Sequence, residues 1–342
     1  MIKNVAMLST SPPSRPGRRA LLALGAGLAL SGCTGSPGDF GRTASAQAQQ
    51  DGTLLMPDGT GLPFRSWLPA DEPSVVALAL HGMNDSRDAW EIPAPVLARA
   101  GWAVYGPDQR GFGAAPGRGR WAGTDRMVAD AAEMARQVAH RHPQARLVLL
   151  GESMGAAVLM CLATGGQAPA GARYVLAAPA VWGRATMNIF LRATLWTAST
   201  LLPGMTASRS PIKIVASDNR DAILRLSRDP LTLRETRFDA VRGLVDLEDA
   251  ADAAAPRFTA DGLFLYGGHD DLIPQAATAA TWRALPRGGA RTAFYPGGYH
   301  LLLRDLGRAA VLADVITWER APRAPLPSGA DRAAAAWLAG AA

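Results

Sequence analysis

The sequence predicts an α/β fold, with a mostly parallel central sheet, helices on both of its faces and an inserted helical cap. Three observations lead there. Short, continuously apolar runs alternate with helical periods through short connections, as in a parallel sheet covered on both sides. A serine flanked by glycines sits in one of the strand-to-helix turns. The alternation breaks over roughly residues 181–258 and then resumes, a gap too long for a simple loop.

Taken in order, strand-like runs begin near Thr53–Met56, continue from Leu62 to Leu68, and reach Ser74–Leu80, which is continuously apolar like a buried central strand. Asp85-Ser86 can cap a helix running to about Arg99. Gly101 breaks it, and Trp102–Tyr105 is another buried strand. A Gly- and Arg-rich loop covers 108–123. Thr124 then stands where a cap should be, before Val128, Ala131, Ala132, Ala135 and Val138 at helical spacing. Arg146–Leu150 reads as a strand, Ser153–Thr164 as a helix and Arg173–Ala177 as a strand. After the cap come a strand at Gly262–Tyr266, a helix near Ala276–Leu285, a strand near Thr292–Tyr295 and a helix near Asp305–Glu319. Residues 321–342, Pro-rich and then Ala-rich, read as a loose tail with at most one short helix.

Composition supports a packed domain: 48% of the 342 residues are hydrophobic and 19% charged. The net charge of +6 is concentrated at the start. Lys3, Arg15, Arg18 and Arg19 precede residue 33 without any acid, and removing them leaves 31 basic against 29 acidic residues. A nucleic-acid binder should keep a basic face on its folded body, so nucleic acid is not an expected partner.

Those early charges read as part of an export signal. Arg18-Arg19 is followed by an apolar run, Ala20–Leu30, that is too short to span a bilayer. It ends in Leu30-Ser31-Gly32-Cys33, which resembles a bacterial lipoprotein box. The resemblance implies a signal peptide over 1–32 and lipid attachment at Cys33. It also implies a membrane-anchored protein of the cell envelope, tethered by the Gly/Ser/Ala/Gln-rich stretch 33–52. Thr34, in place of Asp, favours the outer membrane in a Gram-negative source. The other cysteine, Cys161, lies in an apolar run and reads as packing. No zinc or haem spacing occurs, so neither metal nor cofactor is expected.

The chemistry centres on Gly151-Glu152-Ser153-Met154-Gly155, with an apolar strand directly before it and a helical pattern directly after. Such a turn exposes the serine at the head of a helix, whose N-terminal dipole favours negative charge. A serine hydroxyl is a poor nucleophile until a base takes its proton. Only five histidines exist. His140 and His142 end a helix. His81 ends a strand and reads as a structural hydrogen-bonding group. His269 adjoins two acids, Asp270 and Asp271, and His300 follows the last strand.

Taken together, these residues resemble the α/β-hydrolase superfamily, and within it the monoacylglycerol lipase and lysophospholipase branch, whose motifs related esterases and serine aminopeptidases share. Gly151–Gly155 matches one of its nucleophile-elbow forms. Asp108-Gln109-Arg110-Gly111-Phe112-Gly113 resembles its Asp-x-Arg-Gly-x-Gly loop, and Gly298-Tyr299-His300 the region of its base. The resemblance covers about residues 60–320, excluding most of the cap. It implies the order nucleophile, acid, base, hence Ser153, Asp270 and His300. Asp270 is favoured over Asp271 because it stands four residues before Pro274. The backbone N–H groups of Met83 and Met154 are the implied oxyanion donors, and Asp108 and Arg110 are read as structural.

The expected reaction is hydrolysis of carboxylic esters through an acyl-serine. The apolar cap points to monoacyl lipids such as monoacylglycerols or lysophospholipids. Short-chain esterase and proline-type aminopeptidase activities on the same triad remain as alternatives. The acids Asp218, Asp221, Asp229, Glu235, Asp239, Asp246, Glu248, Asp249 and Asp252 are available in the cap for a substrate amine. An acyltransferase and a catalytically silent binding lipoprotein complete the set.

Overall fold

The computed structural model describes residues 48–207 and 214–340. The expected signal segment, Cys33 and the tether up to residue 47 lie outside the described residues. Among the described residues no helix is long and apolar enough to cross a membrane.

The chain runs β1 (Ala48–Leu55), β2 (Gly61–Leu68), β3 (Val75–Leu80), α1 (Pro93–Arg99), β4 (Trp102–Pro107), α2 (Thr124–Arg141), β5 (Arg146–Glu152), α3 (Met154–Thr164) and β6 (Arg173–Ala177). The cap supplies α4 (Ile189–Leu201), β7 (Thr206–Ala207), α5 (Arg220–Arg228) and β8 (Thr236–Arg237). Then follow α6 (Phe238–Ala254), β9 (Gly262–Gly267), α7 (Gln275–Ala284), β10 (Ala290–Tyr295), α8 (Arg308–Arg320) and α9 (Ala330–Gly340).

Eight strands form one sheet in the order β1-β2-β4-β3-β5-β6-β9-β10. The β1–β2 and β2–β4 pairs are antiparallel and the remaining pairs parallel. The period of two divides the core. On β3, Val76, Leu78 and Leu80 face one apolar layer, which also holds residues of α2, α3 and α6. Val75, Ala77 and Ala79 face the other layer, with residues of α1 and α8. All six residues of β3 are buried, which explains the unbroken apolar run. Strand order reverses about β3, so the crevice at the carboxyl ends of β3 and β5 is where a site should open.

Five expectations need correcting. Residues 48–52, read as the end of the tether, open β1 and pair antiparallel with β2, from Ala48 opposite Leu68 to Gly52 opposite Phe64. The segment capped by Ser86 is split into a 3₁₀ turn, Arg87–Trp90, and α1; Pro93 lacks an N–H and can only start a helix. Thr124 is the first residue of α2, not its cap. Gly123 takes the cap position at φ 95°, a conformation that favours glycine. The region read as cap, 181–258, includes α6, whose Leu247 and Ala251 are buried in the same layer as α3, so the insertion returns to the body before residue 258.

The C-terminal segment is docked rather than loose. Trp337 of α9 stacks on Phe294 of β10, with ring centroids 4.8 Å apart and planes 8° apart. It also meets the Trp282 ring edge-on at 5.3 Å. Arg291 bonds the carbonyls of Pro322 and Ala324 and pairs with Asp331 at 2.7 Å. Ala330, Ala334, Trp337 and Leu338 form the packed face, and an alanine-rich period of this kind carries little apolar signal in the sequence.

Candidate active site

Ser153 stands between β5 and α3 with φ 52° and ψ −116°. Its N–H donates to the Ala177 carbonyl at 2.9 Å, and its own carbonyl accepts from Ala157 at 3.0 Å and Ala180 at 3.1 Å. The backbone is thus pinned in a strained left-handed turn that aims the side chain off the sheet. Close approach explains the flanking glycines. A Cβ at Gly151 would lie 2.6 Å from the backbone of Ala156, and one at Gly155 would run into the Leu80 carbonyl of β3.

The loops after β9 and β10 bring Asp270 and His300 together. His300 Nδ1 lies 2.8 Å from Asp270 Oδ2, and the Asp270 side chain is fully buried. Its other oxygen accepts the N–H groups of Leu272 at 2.8 Å and Ile273 at 2.9 Å. Asp271 instead accepts the Val215 N–H and makes no contact with the imidazole. Burial disfavours the imidazolium of His300. The charge and hydrogen bond of Asp270 more than offset this, so its pKa is raised. Ser153 and His300 line one cavity of about 270 Å³.

The loop after β3 forms another wall. Gly82 packs on Ser153, where a Cβ would sit 3.3 Å from the serine Cβ. Met83 lines the cavity and Met154 is fully buried at the start of α3. Asn84, at φ 63°, ties this loop to the cap: its carbonyl accepts the Leu233 N–H at 2.8 Å, and its amide donates to Thr236 Oγ1 at 2.6 Å.

The remaining sequence candidates take supporting places. His81 Nε2 accepts the Gln109 N–H at 3.1 Å, so Nδ1 donates to the Gly82 carbonyl at 2.8 Å; the ring braces the loop. Asp108 binds the N–H groups of Arg87 and Ala114 and the Arg87 guanidinium, while Arg110 pairs with Asp130. Cys161 is half-buried, and burial pushes its thiol up to about 11. Among the described residues no group of three or more His, Cys, Asp or Glu could hold a metal ion.

The sequence reading missed one feature of the site. Glu152, read only as the variable residue of the elbow, is buried and bound to Arg304, which also pairs with Asp85 at 2.8 Å. A charge inside an otherwise apolar strand end was the available signal.

The family model for serine aminopeptidase, S33 matches residues 71–307. Monoglyceride lipase of Rattus norvegicus is 24% identical over 274 residues, which span 78% of this chain and 88% of that protein. Two solved structures share the fold. The monoacylglycerol lipase of Paleococcus ferrophilus has a TM-score of 0.64 at 20% identity, covering 75% of this chain and 97% of that one. A soluble variant of monoglyceride lipase from Saccharomyces cerevisiae, solved with a substrate analogue, has a TM-score of 0.67 at 17% identity, covering 83% and 98%. Matched over most of its length, the chain belongs to the serine aminopeptidase, S33 family, and has the α/β-hydrolase fold.

Proposed function

We propose that the protein hydrolyses monoacyl lipids, a monoacylglycerol or a lysophospholipid, by an acyl-serine mechanism on Ser153, Asp270 and His300. That it is a carboxylic ester hydrolase follows from its family and its lipase relatives. The lipid class rests on one observation, the lining of the cavity at Ser153. Met83, Ala216, Leu226, Leu233, Leu272 and Leu301 border it, and its two acids, Asp85 and Glu152, are both bound to Arg304. Such a space suits an acyl chain. The cap adds an apolar surface, with Phe190 81% and Trp196 61% exposed.

In this mechanism His300 accepts the Ser153 proton as the hydroxyl attacks the ester carbonyl. Asp270 holds the imidazole with Nε2 free and stabilises the imidazolium. The N–H groups of Met83 and Met154 receive the oxyanion, an interaction worth about 3 kcal/mol per donor. His300 then protonates the leaving alcohol and activates the water that releases the acid. Lipid attachment at Cys33 would hold the enzyme against its substrate pool.

A second reading, aminopeptidase, has its own observation. A cavity of about 290 Å³ shares Asp85, Leu226 and Arg304 with the first and carries Asp88, Glu91 and Asp229. Of the cap acids, Asp229 alone lines it, and its carboxylate already accepts from Ser86 Oγ and the Leu231 N–H.

The test is release from monoacylglycerols, lysophospholipids, short p-nitrophenyl esters and proline amides, with Ser153→Ala as control. Long-chain monoacyl lipids should turn over fastest. Proline-amide release exceeding ester release would overturn the lipid reading and support the second.

A further inference from the structure

We propose that Arg304 is the positioning residue of this active centre, one buried guanidinium that holds the nucleophile elbow, the oxyanion loop and the histidine loop in register. The inference rests on the ester-hydrolase reading above. Arg304 is 5% exposed. One arm of its fork binds Glu152, the neighbour of Ser153. The other binds Asp85 at 2.8 Å, at the end of the loop that carries Met83. Arg304 lies four residues after His300, and its own N–H closes that loop on the Leu301 carbonyl at 2.7 Å. Its carbonyl accepts from Asn219 Nδ2 at 2.7 Å, which adds the segment returning from the cap.

The topology shows why such a tie is useful. Strands β3, β5 and β10 supply the three loops, and β6 and β9 separate β10 from β5. No strand pairing therefore sets the histidine loop against the other two. A planar fork with divergent donors can meet two carboxylates from different loops; a lysine ammonium cannot match that geometry.

The arrangement is poorly suited to stability alone. Two buried carboxylates face one cation, and Arg304 Nε is buried without a hydrogen-bond partner among the described residues. Burying such charges costs enough solvation that apolar packing of the same shape would serve the fold as well. The cluster also bears on His300 electrostatically. Three charged groups act there: Asp270 from the loop after β9, Glu152 from β5 and Arg304 from the histidine's own loop. Glu152 favours the imidazolium and Arg304 opposes it.

The experiment compares Arg304→Met, Arg304→Lys, Glu152→Gln and the double variant Glu152→Gln/Arg304→Met on a soluble ester. Active sites are counted by fluorophosphonate labelling of Ser153, and folding is checked by thermal denaturation. Arg304→Met should lose about tenfold or more in kcat per labelled site, with KM within about twofold. Arg304→Lys should recover only part. The acid limb of the kcat/KM profile should move to lower pH in Glu152→Gln and to higher pH in Arg304→Met. If Arg304→Met does not fold, Glu152→Gln, which keeps the Arg304–Asp85 pair, and Arg304→Lys still decide. Wild-type kcat per site and an unmoved acid limb in every folded variant would refute the positioning role. A wild-type protein that neither cleaves esters nor labels at Ser153 overturns the ester-hydrolase reading itself, and the inference with it.

Discussion

Replacing Asp270 by asparagine isolates what the buried carboxylate does. Its Oδ1 accepts two backbone N–H groups, from Leu272 and Ile273, at 2.8 and 2.9 Å. Its Oδ2 faces His300 Nδ1 at 2.8 Å. An asparagine must keep its oxygen on the two amide donors, since its NH₂ there would set donor against donor. The NH₂ then faces Nδ1 and donates to it. That drives the ring proton to Nε2, the nitrogen that must accept from Ser153. The site keeps its shape and loses its base. Loss of the correct tautomer costs about 10³–10⁴ in kcat in serine hydrolases, or roughly 4–5.5 kcal/mol of transition-state stabilisation. Asp271→Asn is the paired control. Among the described residues Asp271 bonds the Val215 N–H near the surface, so its loss should change kcat by less than about twofold. Steady-state hydrolysis of a p-nitrophenyl ester, corrected by a site count, reads both. Asp270→Asn retaining kcat within tenfold of wild type, or Asp271→Asn falling as far, would refute the tautomer argument.

Three more outcomes follow. Because Asp270 raises the His300 pKa, kcat/KM should fall as pH drops through a midpoint above the ordinary histidine value of 6.5; a limb centred below that value contradicts the assignment. Glu248 is 5% exposed, and burial, with a lesser contribution from Asp249, pushes its carboxyl from 4.5 up to about 8. The folded state therefore binds more protons than the unfolded one between those values, and stability declines as pH rises through that window. Glu248→Gln should raise the melting temperature more at pH 8 than at pH 5, and equal gains at both would count against a buried neutral carboxyl. Trp337→Ala removes the stack on Phe294 and the contact with Trp282, a loss of about 2–3 kcal/mol for a half-buried indole. Its melting temperature should drop by roughly 4–8 °C with kcat per site unchanged; an unchanged melting point would mean that α9 contributes little to the fold.

The β3, β5, β6 and β9 segments were legible because each is buried on both faces and therefore reads as an unbroken apolar run. The elbow was legible because Gly151, Ser153 and Gly155 answer constraints a few residues long, between one strand and the helix after it. The acid and the base needed the family resemblance. Their partnership spans 30 residues, and Asp270 and Asp271 are equivalent until a fold orients them.

By itself, then, the sequence determined the alternating α/β pattern, the serine turn and the places where the chain departs from that pattern. Local backbone geometry and burial periodicity act over a few residues and leave their mark on composition. Tertiary structure alone decided which carboxylate meets His300 and where the cap rejoins the body at α6. It also docked α9 on β10 and set one guanidinium between Glu152 and Asp85. These contacts join residues far apart in the chain through single side chains, and an isolated charge or indole in a sequence does not say what it will touch once the sheet has brought its neighbours in.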